Sequence, residues 1–310
     1  MINKVMGIDI GGTSIKLALF DVTGLMLDQW SIPTNTANAG SEIPVEIVDS
    51  INERMNQNNQ ELAEVLGIGI GVPGPVTDQV VKRAVNLGWT DFPLKQMIEN
   101  SLNIPVALLN DANAAALGEL WKGSTEPVQN VVFVTVGTGV GGGIIVNGKI
   151  LNGEHSSGGE IGHIPVQAEE ERICGCGNIN CLECYGSANG MIQTLNRLAD
   201  ETVVSNTKEL FTLIQMNNLL AKETLKITVD YLGRAIAGIV NTLDPEEIVI
   251  GGGVSEAGQL FLSPLRDAIE SYAFPQIAGN FRLRKAILGN EAGMYGAAYQ
   301  VVSTLKEYAI

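Results

Sequence analysis

The sequence has few of the features that mark secreted, membrane or nucleic-acid-binding proteins. Only four of its 310 residues are cysteine, and all lie within eleven positions, so no disulfide framework spreads along the chain. No apolar run reaches the ~18 residues that a transmembrane helix requires, and the start, MINKVMGIDIGG, has no cleavable signal pattern. Basic residues are scarce: 19 Lys and Arg against 34 Asp and Glu give a formal charge of −15, which repels phosphate backbones and anionic lipids. We therefore expect a cytoplasmic protein whose partners include neither nucleic acid nor membrane.

Apolar residues and glycines are abundant in contrast: 45% of the chain is apolar and 36 residues are glycine. A chain of this length forms one large domain or two domains of about 150 residues each. Short apolar strands alternate with helical stretches over roughly the first 115 residues, which is typical of an α/β domain. Apolar periodicity predicts helices over residues 42–60, 187–202, 207–215 and 221–242, and a last helix that begins near Gly293.

Two segments repeat one strand–turn–strand pattern. Residues 8–20 (IDIGGTSIKLALF) and 134–146 (VTVGTGVGGGIIV) align without a gap, and each has apolar strands on both sides of a Gly/Thr turn. The identity is weak, so chance would explain the match. The alternative is that the chain consists of two related α/β halves that face each other across a cleft, the second half being longer.

The turn of the first repeat has a composition suited to phosphate. Asp9 precedes Gly11, Gly12 and Thr13. Backbone amides of a glycine turn approach a phosphate closely, the threonine hydroxyl adds a donor, and an aspartate at the strand end is suited to hold Mg²⁺. An ordinary tight hairpin accounts for the same residues.

Two further glycine-rich turns follow predicted strands. Around Thr138 and Gly139 there are five glycines in seven residues, more than a hairpin needs, which indicates close approach of a ligand or of another chain segment. Gly252 and Gly253 lie between a strand and a helical stretch, where open α/β sheets accept nucleotides. Together the three turns favour a nucleotide site over three unrelated hairpins.

An asparagine–aspartate pair ends the predicted strand VALLND. Asp111 lies at or near the N-cap of an alanine-rich helix, so a capping role worth ~1 kcal/mol is one interpretation. The other is a general base at the carboxyl edge of the sheet, kept ionised by the helix N-terminus. Asn86 lies near Trp89, and an amide beside an indole suits a sugar as well as it suits an exposed turn.

The cysteine cluster is the strongest candidate for a metal site. One nitrogen and three sulfurs would form a tetrahedral zinc set: His163, Cys174, Cys176 and Cys181. Cys184 competes for the fourth position, in which case His163 is free. Disulfides are the remaining alternative, although they are rare in cytosolic proteins. A structural metal would order a loop that has few core residues and would fix the nearby carboxylates of Glu160 and Glu183.

The order of these motifs resembles that of the ROK family of sugar kinases. The segments GIDIGGTSIK, GIGVPGPV, VNLGW, NDANAAALGE, VTVGTGVGGGII, GGEIGH, CGCGNINCLE and IVIGGGVS carry the resemblance, which spans nearly the whole chain. It implies the actin-like (hexokinase-type) ATPase fold, with two α/β domains flanking a sugar cleft. The small domain would comprise residues 1–115 and a C-terminal helix at about 295–310, and the large domain residues 116–294 with the zinc-binding loop. A homodimer or homotetramer is expected.

The resemblance also implies a role for each candidate residue. Asp111 would be the base that takes the proton from the sugar 6-hydroxyl. The sugar would also contact Gly74, Asn86, Asn110, Glu160, His163 and Glu183. The nucleotide site would consist of Asp9, Gly11, Gly12, Thr13, Thr138, Gly139, Gly252 and Gly253. The implied cofactors are ATP, Mg²⁺ and a structural Zn²⁺ on His163, Cys174, Cys176 and Cys181.

The implied activity is ATP-dependent phosphorylation of D-glucose, because the resemblance is closest to bacterial glucokinases. A kinase for N-acetylmannosamine, N-acetylglucosamine, fructose or allose would share the same motifs. A non-catalytic sugar-sensing protein is less favoured, since the family's repressors have a helix-turn-helix ahead of the phosphate motif, which here starts at Gly7. Two positions depart from the family pattern. Asn180 replaces a usual glycine, although asparagine tolerates a left-handed backbone, and Cys184 is an extra thiol.

Overall fold

The computed structural model describes residues 3–308, without the side chains of residues 307 and 308, and divides into two compact units. The first unit contains the described residues up to Pro127, then Asn152–Gly158 and the described residues from Asn290 onward. The second unit contains Val128–Leu151 and Gly159–Gly289. The domain boundaries that the family resemblance implies lie at residue 115 and at about residue 295.

Twelve strands lie within the described part of the chain. They are Lys4–Ile10 (β1), Ser14–Asp21 (β2), Met26–Pro33 (β3), Val65–Val72 (β4), Val81–Ala84 (β5), Trp89–Phe92 (β6), Val106–Asn110 (β7), Val131–Val136 (β8), Val140–Val146 (β9), Lys149–Ile150 (β10), Glu247–Gly251 (β11) and Arg282–Lys285 (β12). The same residues form nine α-helices. They are Ile43–Gln57 (α1), Leu94–Leu102 (α2), Asp111–Gly118 (α3), Glu183–Gly186 (α4), Ala188–Ala199 (α5), Thr207–Gln215 (α6), Leu219–Leu243 (α7), Gln259–Tyr272 (α8) and Ala292–Tyr308 (α9).

The first unit is built on a five-stranded sheet in the order β3-β2-β1-β4-β7. Strand β1 pairs antiparallel with β2 and parallel with β4, and β4 pairs parallel with β7. The central strands are apolar almost throughout, as expected for parallel strands covered on both faces. A separate pair, β5 and β6, forms a two-stranded sheet.

The second unit repeats this arrangement with the order β10-β9-β8-β11-β12. Strand β8 pairs antiparallel with β9 and parallel with β11, and β11 pairs parallel with β12. Strands β8 and β9 therefore occupy the positions that β1 and β2 hold in the first sheet. The predicted repeat of residues 8–20 and 134–146 is confirmed at the level of topology, although the sequence identity is weak.

Helix α9 packs closely on the first sheet because glycines face it. A Cβ added at Gly69 in β4 would collide with the backbone of Ala297, and one at Gly296 would collide with the carbonyl oxygen of Ala114 in α3. Only glycine permits such close contact between backbones. The last helix of the chain is thus part of the core of the first unit.

The helices predicted from periodicity lie where expected, with ends that differ by at most three residues. Helices α2 and α4 and strands β5, β6, β10 and β12 were not predicted. Across residues 3–308, no helix combines the length and the apolar composition needed to cross a membrane.

Candidate functional site

The parallel strands of the first sheet end at one edge, and the predicted residues of this unit follow those ends. Asp9 lies near the end of β1, Gly74 follows β4, and Asn110 ends β7. Ligands of α/β sheets bind beyond the carboxyl ends of the strands. The fold therefore gathers residues from three separate motifs at the expected place.

Asn110 holds this edge together. Its side-chain oxygen accepts hydrogen bonds from the amides of Ala112 at 2.9 Å and Asn113 at 3.3 Å, which makes Asn110 the N-cap of α3. Its side-chain nitrogen donates to the carbonyl of Gly74 at 3.1 Å. The capping role left open for Asp111 thus belongs to Asn110.

Asp111 is the first residue of α3, and its side chain is exposed. One carboxylate oxygen accepts from the amide of Ala112 at 2.8 Å. Amide dipoles at the start of a helix stabilise a negative charge. The carboxylate therefore lies exposed at the positive end of the helix dipole, where a ligand can approach it.

Asp9 lies in a more enclosed place at the same sheet edge. Burial raises the pKa of Asp9, and the nearby charge of Lys16 opposes that shift. A Cβ at Gly293, in the first turn of α9, would lie 3.0 Å from both carboxylate oxygens. A half-buried carboxylate with little direct pairing is suited to a hydrated cation.

Lys16 was not among the predicted residues. It lies directly opposite Asp9 in the β1–β2 ladder, so the two side chains share a face of the sheet, and its ammonium group donates to the carbonyl of Asn290 at 3.0 Å. The signal was present in GGTSIK, where the hairpin register places the lysine across from the aspartate.

The turn between β1 and β2 is a tight hairpin with an open tip. The amide of Gly11 donates to the carbonyl of Ser14 at 3.0 Å, and the hydroxyl of Thr34 donates to the carbonyl of Gly11 at 2.7 Å. Gly12 and Thr13 are exposed, and nothing lies within 4 Å of a Cβ built on Gly12. The hairpin interpretation is correct for the backbone, and its exposed tip leaves room for a ligand.

Of the two interpretations of Asn86, the exposed turn is the one that the structure favours, because the indole of Trp89 is buried. Trp89 is only 2% exposed, stacks on Phe92 with ring centroids 4.3 Å apart, and donates from its indole nitrogen to the carbonyl of Gly40. The indole is packed in the hydrophobic core, where a sugar cannot contact it. Asn86 itself is exposed in a short 3₁₀ turn.

In the second unit, two glycine turns meet at one sheet edge. The turn with Thr138 and Gly139 follows β8, and Gly252 and Gly253 follow the neighbouring parallel strand β11. Gly252 has φ +80°, and a Cβ there would collide with the backbone of Val136. This contact requires a glycine at position 252 and brings the two turns side by side.

Glu183 joins one of these turns to the cysteine cluster. One of its carboxylate oxygens accepts from the amide of Val140 at 3.0 Å, and the other lies 3.9 Å from the sulfur of Cys174. A Cβ at Gly139 would collide with the same carboxylate. Gly139 is therefore required because the segment that contains Glu183 approaches it closely, which was one of the two explanations for the glycines of this turn.

The four candidate metal ligands converge. The ligand atoms of His163, Cys174, Cys176 and Cys181 all lie within 4.8 Å of one another. The Cys176 and Cys181 sulfurs are 3.6 Å apart, as are the Cys174 sulfur and the Nδ1 atom of His163. Zinc–sulfur bonds in tetrahedral geometry put neighbouring ligand atoms about 3.8 Å apart, so the spacing fits zinc.

The chemistry of this set also fits a cation. Burial, together with the neighbouring thiols of Cys176 and Cys174, raises the pKa of Cys181 to about 12. A bound divalent cation favours the thiolate form of such a group. The other ring nitrogen of His163 lies 3.9 Å from a carboxylate oxygen of Glu160, which is longer than a hydrogen bond. Cys184 lies outside the set of four.

The contact between Gly139 and Glu183 leads to a prediction. We expect Gly139→Ala to displace the Glu183 carboxylate and break its bond to the amide of Val140, because the added methyl group occupies the same space. Hydrogen exchange of the Val140 amide, followed by NMR, should become about tenfold faster, as expected for the loss of one hydrogen bond. Gly137→Ala is the control, since nothing lies within 4 Å of its Cβ. Equal exchange rates in the two variants would contradict the assignment.

The sequence profile of the ROK family matches residues 5–303. The chain belongs to the ROK family. A glucokinase from Halalkalibacterium halodurans is 41% identical over 310 residues, covering 96% of this chain and 94% of that protein. The solved structure of a ROK hexokinase from Thermus thermophilus has a TM-score of 0.86 at 32% identity, and the match covers 98% of this chain and 99% of that one. A ROK glucokinase from Streptomyces griseus, solved with glucose and AMPPNP, has a TM-score of 0.74 at 29% identity, covering 96% and 98%.

These similarities confirm the expected fold class. This ROK protein has the actin-like, hexokinase-type α/β fold, and each of its units carries one of the two topologically equivalent sheets.

Proposed function

We propose that this ROK protein is an ATP-dependent glucokinase, which transfers the γ-phosphoryl group of ATP to the 6-hydroxyl of D-glucose and releases ADP. The observation that carries the proposal is the exposed carboxylate of Asp111 at the first turn of α3, beside the Asn110–Gly74 contact. The 41% identity to a glucokinase over most of both chains supports the substrate, and the likeness to a glucokinase solved with glucose and AMPPNP supports the donor.

In the proposed reaction, Asp111 accepts the proton of the 6-hydroxyl as its oxygen attacks the γ-phosphorus. The bond from the γ-phosphorus to the bridging oxygen breaks, and ADP leaves with that electron pair. The helix N-terminus keeps Asp111 ionised, so the carboxylate acts mainly by orienting the attacking oxygen. Asn110 fixes the start of α3 and thereby the position of Asp111.

We assign the remaining sugar hydroxyls to a set of polar groups and backbone. This set consists of Gly74, Asn86, Asn110, Glu160, His163 and Glu183. The bond between Glu183 and the amide of Val140 supports its place in this set, because it holds the carboxylate beside the turn of Thr138 and Gly139.

We assign the nucleotide to the open glycine turns. The phosphates would contact Gly11, Gly12, Thr13, Thr138 and Gly139, and the adenosine would lie near Gly252 and Gly253. A cavity of about 460 Å³ borders Thr138 and Glu183 at the N-terminal end of α5, where amide dipoles favour an anion. Asp9 would hold Mg²⁺, directly or through water, and the ion would neutralise charge on the phosphates.

We assign a structural Zn²⁺ to His163, Cys174, Cys176 and Cys181. The spacing of their ligand atoms supports a four-coordinate closed site. Such a metal takes no part in the chemistry, but it would fix the segment that leads into Glu183. We further propose a cytoplasmic location and a homodimer or homotetramer.

A coupled ADP-release assay tests the proposal. With MgATP and D-glucose we expect turnover in the range of ordinary sugar kinases, on the order of 1–10² s⁻¹. N-acetylmannosamine, N-acetylglucosamine, fructose and allose are run beside glucose, and a higher kcat/KM for any of them would reassign the substrate. Binding of glucose without ADP release would instead indicate a sugar sensor.

A further inference from the structure

Residues 172–180 form a hairpin, here called the metal-binding hairpin, which contains Cys174 and Cys176 and leads into Cys181. One of its residues has an unusual backbone conformation. Asn180, directly before Cys181, has φ +58°. Glycine adopts this left-handed region without cost, and asparagine adopts it more readily than other residues. The conformation agrees with the expectation from the sequence, but it does not explain why a side chain is present at this position.

The Asn180 side chain makes two hydrogen bonds that glycine could not make. Its oxygen accepts from the backbone amide of Arg172 at 2.9 Å and from the hydroxyl of Tyr185 at 2.6 Å. The backbone amide of Asn180 donates to the carbonyl of Arg172 at 2.8 Å. Asn180 therefore closes the base of the hairpin and ties it to α4, which contains Tyr185.

Arg172 extends the network to helix α5. The residue is 6% exposed, and its guanidinium donates to the carbonyl of Cys184 at 2.8 Å and to the hydroxyl of Thr194 at 3.0 Å. The same group lies over the ring of Tyr185, 4.7 Å from its centroid. The hairpin base is thus fixed to two helices by buried, charge-assisted contacts.

The hairpin leads directly into the functional groups. Cys181 follows Asn180, and Glu183 lies two residues further, where its carboxylate binds the amide of Val140. Any freedom at the hairpin base is passed to the sulfur of Cys181 and to this carboxylate. Neither group can keep its place if the base shifts.

We propose that Asn180 is a positioning residue, which locks the metal-binding hairpin onto α4 and α5 and thereby sets the positions of Cys181 and Glu183. The inference deepens the proposed function, because it assigns a role in both metal retention and sugar binding to a residue that contacts neither ligand.

Two variants at position 180 test the proposal. Asn180→Gly keeps the left-handed backbone but removes both side-chain bonds, whereas Asn180→Asp keeps an acceptor of the same size. We expect Asn180→Gly to release Zn²⁺ to a chromophoric chelator about tenfold faster than the parent protein, since the amide of Arg172 loses its acceptor and the hydroxyl of Tyr185 keeps only the carbonyl of Glu170. The KM of Asn180→Gly for glucose should rise about five- to tenfold, while its kcat should stay within about twofold of the parent value. The Zn²⁺ release rate and the glucose KM of Asn180→Asp should both stay within about twofold of the parent values.

Tyr185→Phe removes the hydroxyl that contacts Asn180 and the carbonyl of Glu170, and it should speed Zn²⁺ release about threefold, which keeps a test available if Asn180→Gly does not fold. Asn180→Gly with parent-like Zn²⁺ release and glucose KM would overturn the proposal, even if its thermal midpoint fell. Failure of the parent protein to retain Zn²⁺ would overturn it too. If no sugar is phosphorylated but Zn²⁺ release still changes as stated, the proposed function fails and the positioning role stands.

Discussion

Asp111→Asn should lower kcat for glucose phosphorylation by about 10²- to 10⁴-fold, the usual contribution of general acid–base catalysis. The amide keeps the size of the side chain and its bond from the Ala112 amide, but it cannot accept the hydroxyl proton. Glucose affinity should change little, because the hydroxyl still finds a polar partner. The checks are steady-state kinetics by coupled ADP release and glucose binding by calorimetry.

Asp49→Asn is the matched control, since Asp49 is an exposed aspartate on α1 outside the site and its replacement should leave kcat unchanged. More than a tenth of the parent kcat in Asp111→Asn would remove Asp111 from the role of base. If Asp111→Asn were also much less thermostable than the parent protein, the loss of activity would be explained by disruption of the start of α3 instead.

Cys174→Ala should abolish tight Zn²⁺ binding, because it removes one of the four converging ligands. Metal content, measured by mass spectrometry, should fall from about one Zn²⁺ per chain to near zero. The free energy of unfolding should fall by more than about 3 kcal/mol, a part of the ~10–16 kcal/mol that structural zinc supplies in zinc-finger peptides. Urea unfolding followed by circular dichroism gives this difference.

Cys184→Ala provides the control on the same segment. Cys184 lies outside the set of four, so this variant should keep its metal and most of its stability. If Cys184→Ala loses Zn²⁺ and His163→Ala keeps it, the fourth ligand is Cys184, and the assignment of His163 is wrong.

Much of this site follows from local sequence patterns. The glycine turns, the pair Asn110–Asp111 and the cysteine cluster stand in short segments whose chemistry is evident from residue type and spacing. The alternation of strands and helices then predicts that such segments follow the ends of strands. The structure places them at the ends of β1, β7 and β8. The two-sheet repeat was indicated by apolar strands on both sides of a glycine turn, although the weak identity left chance as an alternative until the topology was known.

Other features depend on contacts that a linear pattern does not contain. Trp89 looked available to a sugar, yet it is core packing, because its environment is set by Phe92 and Gly40. Strand β12 reads RLRK, a charged run that becomes a strand only because β11 offers a parallel edge. The hydrogen bonds of Asn180 to Arg172 and Tyr185 likewise arise only when the chain is folded.

The packing of α9 against Gly69 and Gly296 has a consequence for biosynthesis. Helix α9 completes the core of the first unit but follows the whole second unit along the chain. A ribosome therefore delivers every strand of the first sheet long before the helix that covers it, while the second unit is nearly continuous in sequence. The core of the first unit is therefore completed only after the second unit has been synthesised, and nascent chains stalled before residue 290 should expose an apolar sheet to chaperones.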